Sequence, residues 1–179
     1  MLKIVVPETE LFDQSKNEFI TLKQQTLMLE HSLVSISKWE SKWKVPYLYN
    51  DKKTLEQDID YIRCMTITQN VNPMLYKFLT RDIWEQIYEY INDPMTASNV
   101  PDKKSPGVKT KITAETIRYW MIMFNIPVEY EKWHINQLLA LIKYCEWKQS
   151  DPEKLTPNEL YARNSRLNAE RKMKLHTKG

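Results

Sequence analysis

The sequence predicts a mainly α-helical fold with a small N-terminal β element, built as a compact helical domain followed by a basic C-terminal helical arm. Three observations lead there. Two glycines in 179 residues leave little room for tight hairpins and left-handed turns, which favours helices. Apolar residues alternate with period two near the N-terminus and then recur at roughly 3.6-residue spacing along most of the chain. Capping residues stand in front of several of those helical stripes.

Taken in order, Leu2 to Val6 is a β-branched apolar run closed by Pro7, which suits a short or edge strand. Leu11 to Asn17 is polar and reads as a turn. Beyond Phe19, Leu27, Leu29, His31 and Leu33 alternate with Met28, Glu30 and Ser32, so strand periodicity is expected to run to Leu33. An N-terminal β hairpin accounts for both runs. The period then changes. Leu33, Ile36, Trp39, Glu40 and Trp43 share one side of a helix that Pro46 should end. Thr54 and Gln57 form a capping box, followed by a stripe of Leu55, Ile59, Ile62 and Met65. Asn72-Pro73 opens a short helical turn. A helix from about Thr80 to Ile91 carries Ile83, Ile87 and Ile91, with Trp84 and Tyr88 beside them.

Residues 93–110, DPMTASNVPDKKSPGVKT, hold three prolines and one of the two glycines and are expected to form a mobile loop. The stretch from Lys111 to Lys148 has the densest apolar patterning. Thr113 caps a helix bearing Ile117, Trp120, Met121 and Phe124, which stops before Pro127. A second helix carries Trp133, Gln137, Leu138, Leu141, Ile142 and Cys145 on its stripe, with Glu131, Lys132 and Lys143 elsewhere. The short break between them predicts an antiparallel helix pair. Ser150-Asp151-Pro152 then separates a globular domain, residues 1–150, from a basic tail, residues 151–179. In the tail, Thr156, Pro157 and Glu159 mark a helix start.

Charge separates the same two parts. From Thr156 to Gly179 there are six basic residues against two acidic ones, so the tail carries the surplus and the rest is close to neutral. Cys64 and Cys145 have no motif spacing, which argues against a disulfide framework and for a reducing compartment. The start of the chain lacks a basic segment followed by a long apolar run, and no window reaches the length of a membrane span. Neither a secretory signal nor a membrane partner is expected.

Candidate chemistry is sparse. His31, His134, Cys64 and Cys145 are the potential metal ligands, but none pairs at a zinc-type spacing, so structural histidines and buried thiols are expected instead. No nucleophile elbow, phosphate loop or catalytic acid pair is present, and no enzyme activity, cofactor, catalytic residue or metal site is expected. The aromatic-basic stretch Lys38 to Lys44 offers a stacking platform for single strands, yet Trp39 and Trp43 share a helical face with Ile36, as core residues do. For the tail, phosphate contacts or docking on a protein partner both suit its charge, with Arg163, Arg166, Arg171 and Lys172 as the partner-binding candidates.

Several runs carry a resemblance. They are His31-Ser32-Leu33-Val34-Ser35-Ile36-Ser37-Lys38-Trp39-Glu40-Ser41, Ile112-Thr113-Ala114-Glu115, Tyr119-Trp120-Met121-Ile122, Ile126-Pro127, Trp133-His134-Ile135-Asn136, and Arg163-Asn164-Ser165-Arg166-Leu167-Asn168-Ala169. Together they span nearly the whole chain, and they resemble the tail assembly chaperones of long-tailed bacteriophages. The resemblance implies a non-enzymatic factor of the host cytoplasm, absent from the mature virion, that coats the tape measure protein and yields to tail-tube subunits. It implies the tape measure protein as partner, with the major tail protein and further copies of itself as additional ones, and a longer form made by ribosomal frameshifting. The alternatives are a virion structural protein at the head-tail joint or tail end, and a nucleic-acid-binding protein acting through the basic tail; nucleic acid is not the expected partner.

Overall fold

In a computed structural model the described residues are 1–13, 17–50, 52–97, 111–149 and 157–175. Strand β1 (Leu2–Val6) pairs antiparallel with β4 (Gln25–Leu29), and β2 (Thr9–Asp13) pairs antiparallel with β3 (Glu18–Leu22). One register runs through both pairs, since Val6 faces Gln25 and Thr9 faces Leu22. The break falls at Pro7, which has no N–H to give to a ladder. Ile4, Val6, Leu27 and Leu29 alternate inward, as period two requires. The turn expected from Leu11 onward is in fact strand as far as Asp13. Its partner β3 is exposed at four of five positions, and a strand without a buried face shows no alternation to read. The free edge of β4 is covered by the chain that follows the second helix. There the Ile67 N–H donates to the Met28 carbonyl at 2.8 Å, and Thr68 Oγ1 accepts from the Met28 N–H at 2.8 Å.

The strand expected to reach Leu33 stops short. Ser32 takes an N-cap position, its hydroxyl accepts from the Ser35 N–H, and α1 (Leu33–Trp43) begins. His31 and Leu33 are buried nonetheless, one in the connection and one on the helix. Trp39 is fully buried and its Nε1 donates to the Gln57 carbonyl at 2.9 Å, while Trp43 Nε1 donates to Asp60 at 2.9 Å. These rings are committed to packing. α1 ends at Lys44, which adopts φ 57°, before Pro46 is reached. α2 (Leu55–Met65) starts with the Thr54–Gln57 capping box. Leu55 does not belong to its stripe: it sits at the first helical position and is exposed, and Tyr61 takes the core place alongside Ile62 and Met65.

A 3-10 turn over Pro73–Lys77, capped by Asn72, leads to α3 (Arg81–Asn92), capped by Thr80. The first part of the loop beyond it is anchored, because Asn136 Nδ2 donates to the Asp93 carbonyl at 2.7 Å. Residues 98–110 of that loop lie outside the described residues. α4 (Ala114–Met123) is capped by Thr113 and ends in a Schellman arrangement. Asn125 takes φ 52° and the Ile126 N–H returns to the Met121 carbonyl at 2.8 Å. A 3-10 turn, Val128–Lys132, follows, and Trp133 stacks on Tyr130 ahead of α5 (Ile135–Gln149). Trp133 and Gln137 are therefore not on the buried stripe of α5, which is Ile135, Leu138 and Ile142. The main helix neighbour of α4 is α1 and not the expected partner α5. The start of α5 is held to the end of the β element by the Ile135 N–H donating to the His31 carbonyl at 2.7 Å.

The fold class is thus mainly α with a small N-terminal β element. By contact the chain divides into Met1–Cys145 and Glu146–Gly179. The second unit contains α6 (Pro157–Leu175). Among the described residues no helix is long and apolar enough to cross a membrane.

Candidate interaction surfaces

α4 has two apolar faces. Ala114, Ile117 and Met121 are buried, and Trp120 and Phe124 pack partly against the core. On the other side Tyr119, Ile122 and Met123 are 58%, 75% and 57% exposed. These three stand at i, i+3 and i+4, so they share one helix face. Val128, just beyond the helix, is exposed as well. A ten-residue helix that is apolar on both sides of a core contact leaves one side for something else to cover. Sequence reasoning missed this face because the run Tyr-Trp-Met-Ile-Met reads as continuous core; its signal was the lack of polar residues opposite Ile117 and Met121.

Buried polar contacts hold α4 firmly. Glu40 of α1 is buried and accepts from two backbone donors, the Tyr47 N–H through Oε1 and the Ala114 N–H through Oε2, each at 2.8 Å. The second contact places a carboxylate on the first N–H of α4, where the helix dipole favours negative charge. Arg118 then ties α4 to its neighbours: Nε and Nη2 donate to Glu131 at 3.0 and 3.4 Å, and Nη1 donates to Ser37 Oγ at 3.0 Å. Planar, two-point pairing of this kind resists reorientation. The exposed face is therefore displayed on a fixed support.

The tail candidates all lie on α6. The side chains of Arg166 and Arg171 are exposed, and Arg166 Nε sits 3.5 Å from Glu170 one turn on. The side chains of Arg163 and Lys172 lie outside the described residues, as does Thr156. Tyr161 and Met173 are also exposed. An exposed ion pair such as Arg166–Glu170 contributes little to stability, so it leaves the arginine available to a stronger acceptor.

The structure brings together two residues that the sequence offered only separately. The rings of His31 and His134 are buried 5.0 Å apart, edge to face. His31 Nδ1 is hydrogen-bonded to the Tyr61 hydroxyl. Asn136 N–H donates to His134 Nδ1, which leaves Nε2 protonated to donate to the Tyr90 carbonyl at 3.0 Å. Burial above all, then His134 and Lys53, lowers the His31 pKa from 6.5 to about 3, and burial also lowers that of His134. Both are neutral structural histidines at neutral pH. His31 lines a cavity of about 360 Å³ between α2 and α3, shared with Tyr47, Asp58, Tyr61, Trp84 and Tyr88. Lys53 Nζ lies over the Tyr47 ring at 4.3 Å and donates to the Asn50 carbonyl at 2.7 Å, so the ammonium in this cavity is already engaged. Cys64 and Cys145 are both free thiols, and burial pushes the Cys64 pKa up to about 11. Among the described residues no three histidine, cysteine or acidic side chains are grouped as a metal would need.

Comparison with protein-family models, with characterised proteins and with solved structures finds no match to this chain.

Proposed function

We propose that this protein is a tail assembly chaperone, a non-enzymatic factor that binds and solubilises a phage tape measure protein during tail morphogenesis. The observation that carries the binding part of this reading is the exposed apolar face of α4, Tyr119, Ile122 and Met123, displayed on a helix fixed by Glu40 and Arg118. Three exposed apolar side chains on one short helix suit weak and repeated contacts. Avidity along an extended target then supplies affinity, while single contacts stay weak enough to be displaced when tube subunits polymerise. The choice of partner rests on the residue runs that resemble this chaperone family, among them Tyr119-Trp120-Met121-Ile122, whose Tyr119 and Ile122 lie on the exposed face of α4, and Arg163 to Ala169 on α6.

The test is co-expression with the tape measure protein encoded by the same genome, followed by size-exclusion chromatography with light scattering. A soluble tape measure co-eluting with many copies of this chain is the expected result. A tape measure that stays insoluble with both the short and the frameshifted form would overturn the reading. Recovery of this chain from purified virions would move it to a structural role.

A further inference from the structure

We propose that the cavity between α2 and α3 is a binding site for a free, neutral, planar heteroaromatic molecule of one or two fused rings with a ring N–H, such as indole or a nucleobase. The site is separate from the α4 face, since none of its lining residues lies on α4, and it does not depend on the chaperone reading. Its space of about 360 Å³ lies at the lower end of the roughly 300–1,000 Å³ found for ligand pockets. That is far more than the gaps of a packed interior, and it suits a compact ligand over a long one. The exposed lining residues, Tyr88 and Asn92 on α3, mark its mouth.

The walls select the shape of the ligand. Tyr47 stacks on Tyr61 of α2 with ring centroids 3.8 Å apart and 24° between planes. On α3, Trp84 and Tyr88 stand one turn apart and stack at 5.8 Å and 29°. All four rings line the one cavity, and Ile62 and Ile87 add to its apolar lining. Such walls favour an aromatic guest, because ring pairs gain stabilisation beyond their buried area.

Charge selects against ions. Lys53 and Asp58 line the cavity together and His31 is neutral, so the fixed charges there sum to zero. Burial pushes the Asp58 pKa up and the Lys53 ammonium opposes that push, so the two charges already answer each other. A charged guest would lose hydration without meeting an unbalanced opposite charge. Two carboxamides remain for the guest's edge. Asn136 commits its Nδ2 to the Ile91 and Asp93 carbonyls, and Asn92 commits its Nδ2 to the Tyr88 carbonyl. The atom each can offer is therefore the acceptor Oδ1, which a ring N–H complements.

The experiment is titration of the full-length protein with indole, read by calorimetry and by the NMR signal of the Trp84 side-chain N–H. Indole-3-acetate, tryptamine and N-acetyltryptophanamide are run in parallel and carry the same ring with a negative charge, a positive charge and a peptide-like backbone. Indole is expected to bind saturably, to shift the Trp84 signal, and to bind several-fold tighter than either charged analogue. Tyr88→Ala removes an exposed wall and should weaken indole binding roughly three- to tenfold. Leu48→Trp fills the cavity from a half-buried lining position and should abolish binding. Tyr88→Ala, at an exposed position, decides the test if the larger side chain disturbs the fold. A Trp84 signal that does not move up to the solubility of indole overturns the proposal. So does a charged analogue that binds as well as indole, or binding that Tyr88→Ala leaves unchanged. N-acetyltryptophanamide bound tenfold tighter than indole also overturns it, because the cavity would then serve an aromatic side chain of a protein partner and not a free molecule.

Discussion

Glu40 Oε2 accepts a hydrogen bond from the Ala114 N–H at 2.8 Å, so a carboxylate on α1 caps a helix that begins 74 positions later in the chain. Its other oxygen holds the Tyr47 N–H, so one side chain fixes the end of the α1 connection and the start of α4 together. Both donors sit in a buried setting where water cannot replace the acceptor.

Removing that acceptor strands two backbone donors. Glu40→Ala is expected to lower the unfolding free energy by about 3 kcal/mol, from two hydrogen bonds to a charged group. Glu40→Gln keeps one acceptor oxygen and should cost about half as much. Urea denaturation of the purified variants checks both values and their order.

The histidine pair sets an acid limit on stability. The unfolded chain takes up a proton on His31 near 6.5, while the folded residue resists to about 3. Between those values the native state binds fewer protons than the unfolded state, so stability is full above 6.5 and falls as the pH drops through that window. His134, shifted in the same direction, adds to the fall. The histidine contribution to the unfolding free energy, measured by denaturation, should therefore be constant above neutrality and decline below it by up to about 1.4 kcal/mol per pH unit per histidine. His31→Gln should flatten that limb between pH 6.5 and about 5, above the range where carboxylates titrate.

Where the signal was local, the sequence was legible. Thr54 and Thr113 cap helices as expected, a helix starts at Thr80 and a helical turn at Asn72-Pro73, because a cap needs a side chain and an N–H only two or three residues apart. Ser32 still misled, since its place in a period-two run hid its capping role until the helix behind it was seen. Tertiary facts were not legible. Tyr61 and Tyr90 join the core, and His31 meets His134, because the ends of β4, α3 and the 128–134 connection converge, which no local pattern encodes. Leu55 looked like stripe but faces solvent, since the position next to a cap is set by the angle of chain entry. As for the interaction surfaces, composition located the basic arm, whereas the second face of α4 was hidden within an unbroken apolar run.

Asn125 is the residue that actually stops α4. At φ 52° a Cβ is disfavoured, though asparagine tolerates this region better than most. Asn125→Gly should leave stability unchanged or slightly raised, and Asn125→Ala should lower it by about 1 kcal/mol. A glycine variant clearly less stable than the alanine one would show that the side-chain amide, and not the backbone angle, matters there.

Met121 and Ile122 are neighbours with opposite fates, one 3% and the other 75% exposed. Met121→Ala empties a core site and should cost about 2–4 kcal/mol. Ile122→Glu adds charge where water already reaches, so its effect on unfolding should stay within about 0.5 kcal/mol. Partner solubilisation should rank them the other way. Ile122→Glu is expected to lose it at full stability, and Met121→Ala to keep it wherever enough folded protein remains. A stable Ile122→Glu variant that still keeps the tape measure protein soluble would remove the α4 face from the binding surface, whatever the fate of the chaperone reading. The two substitutions therefore separate what α4 does for the fold from what it offers to a partner.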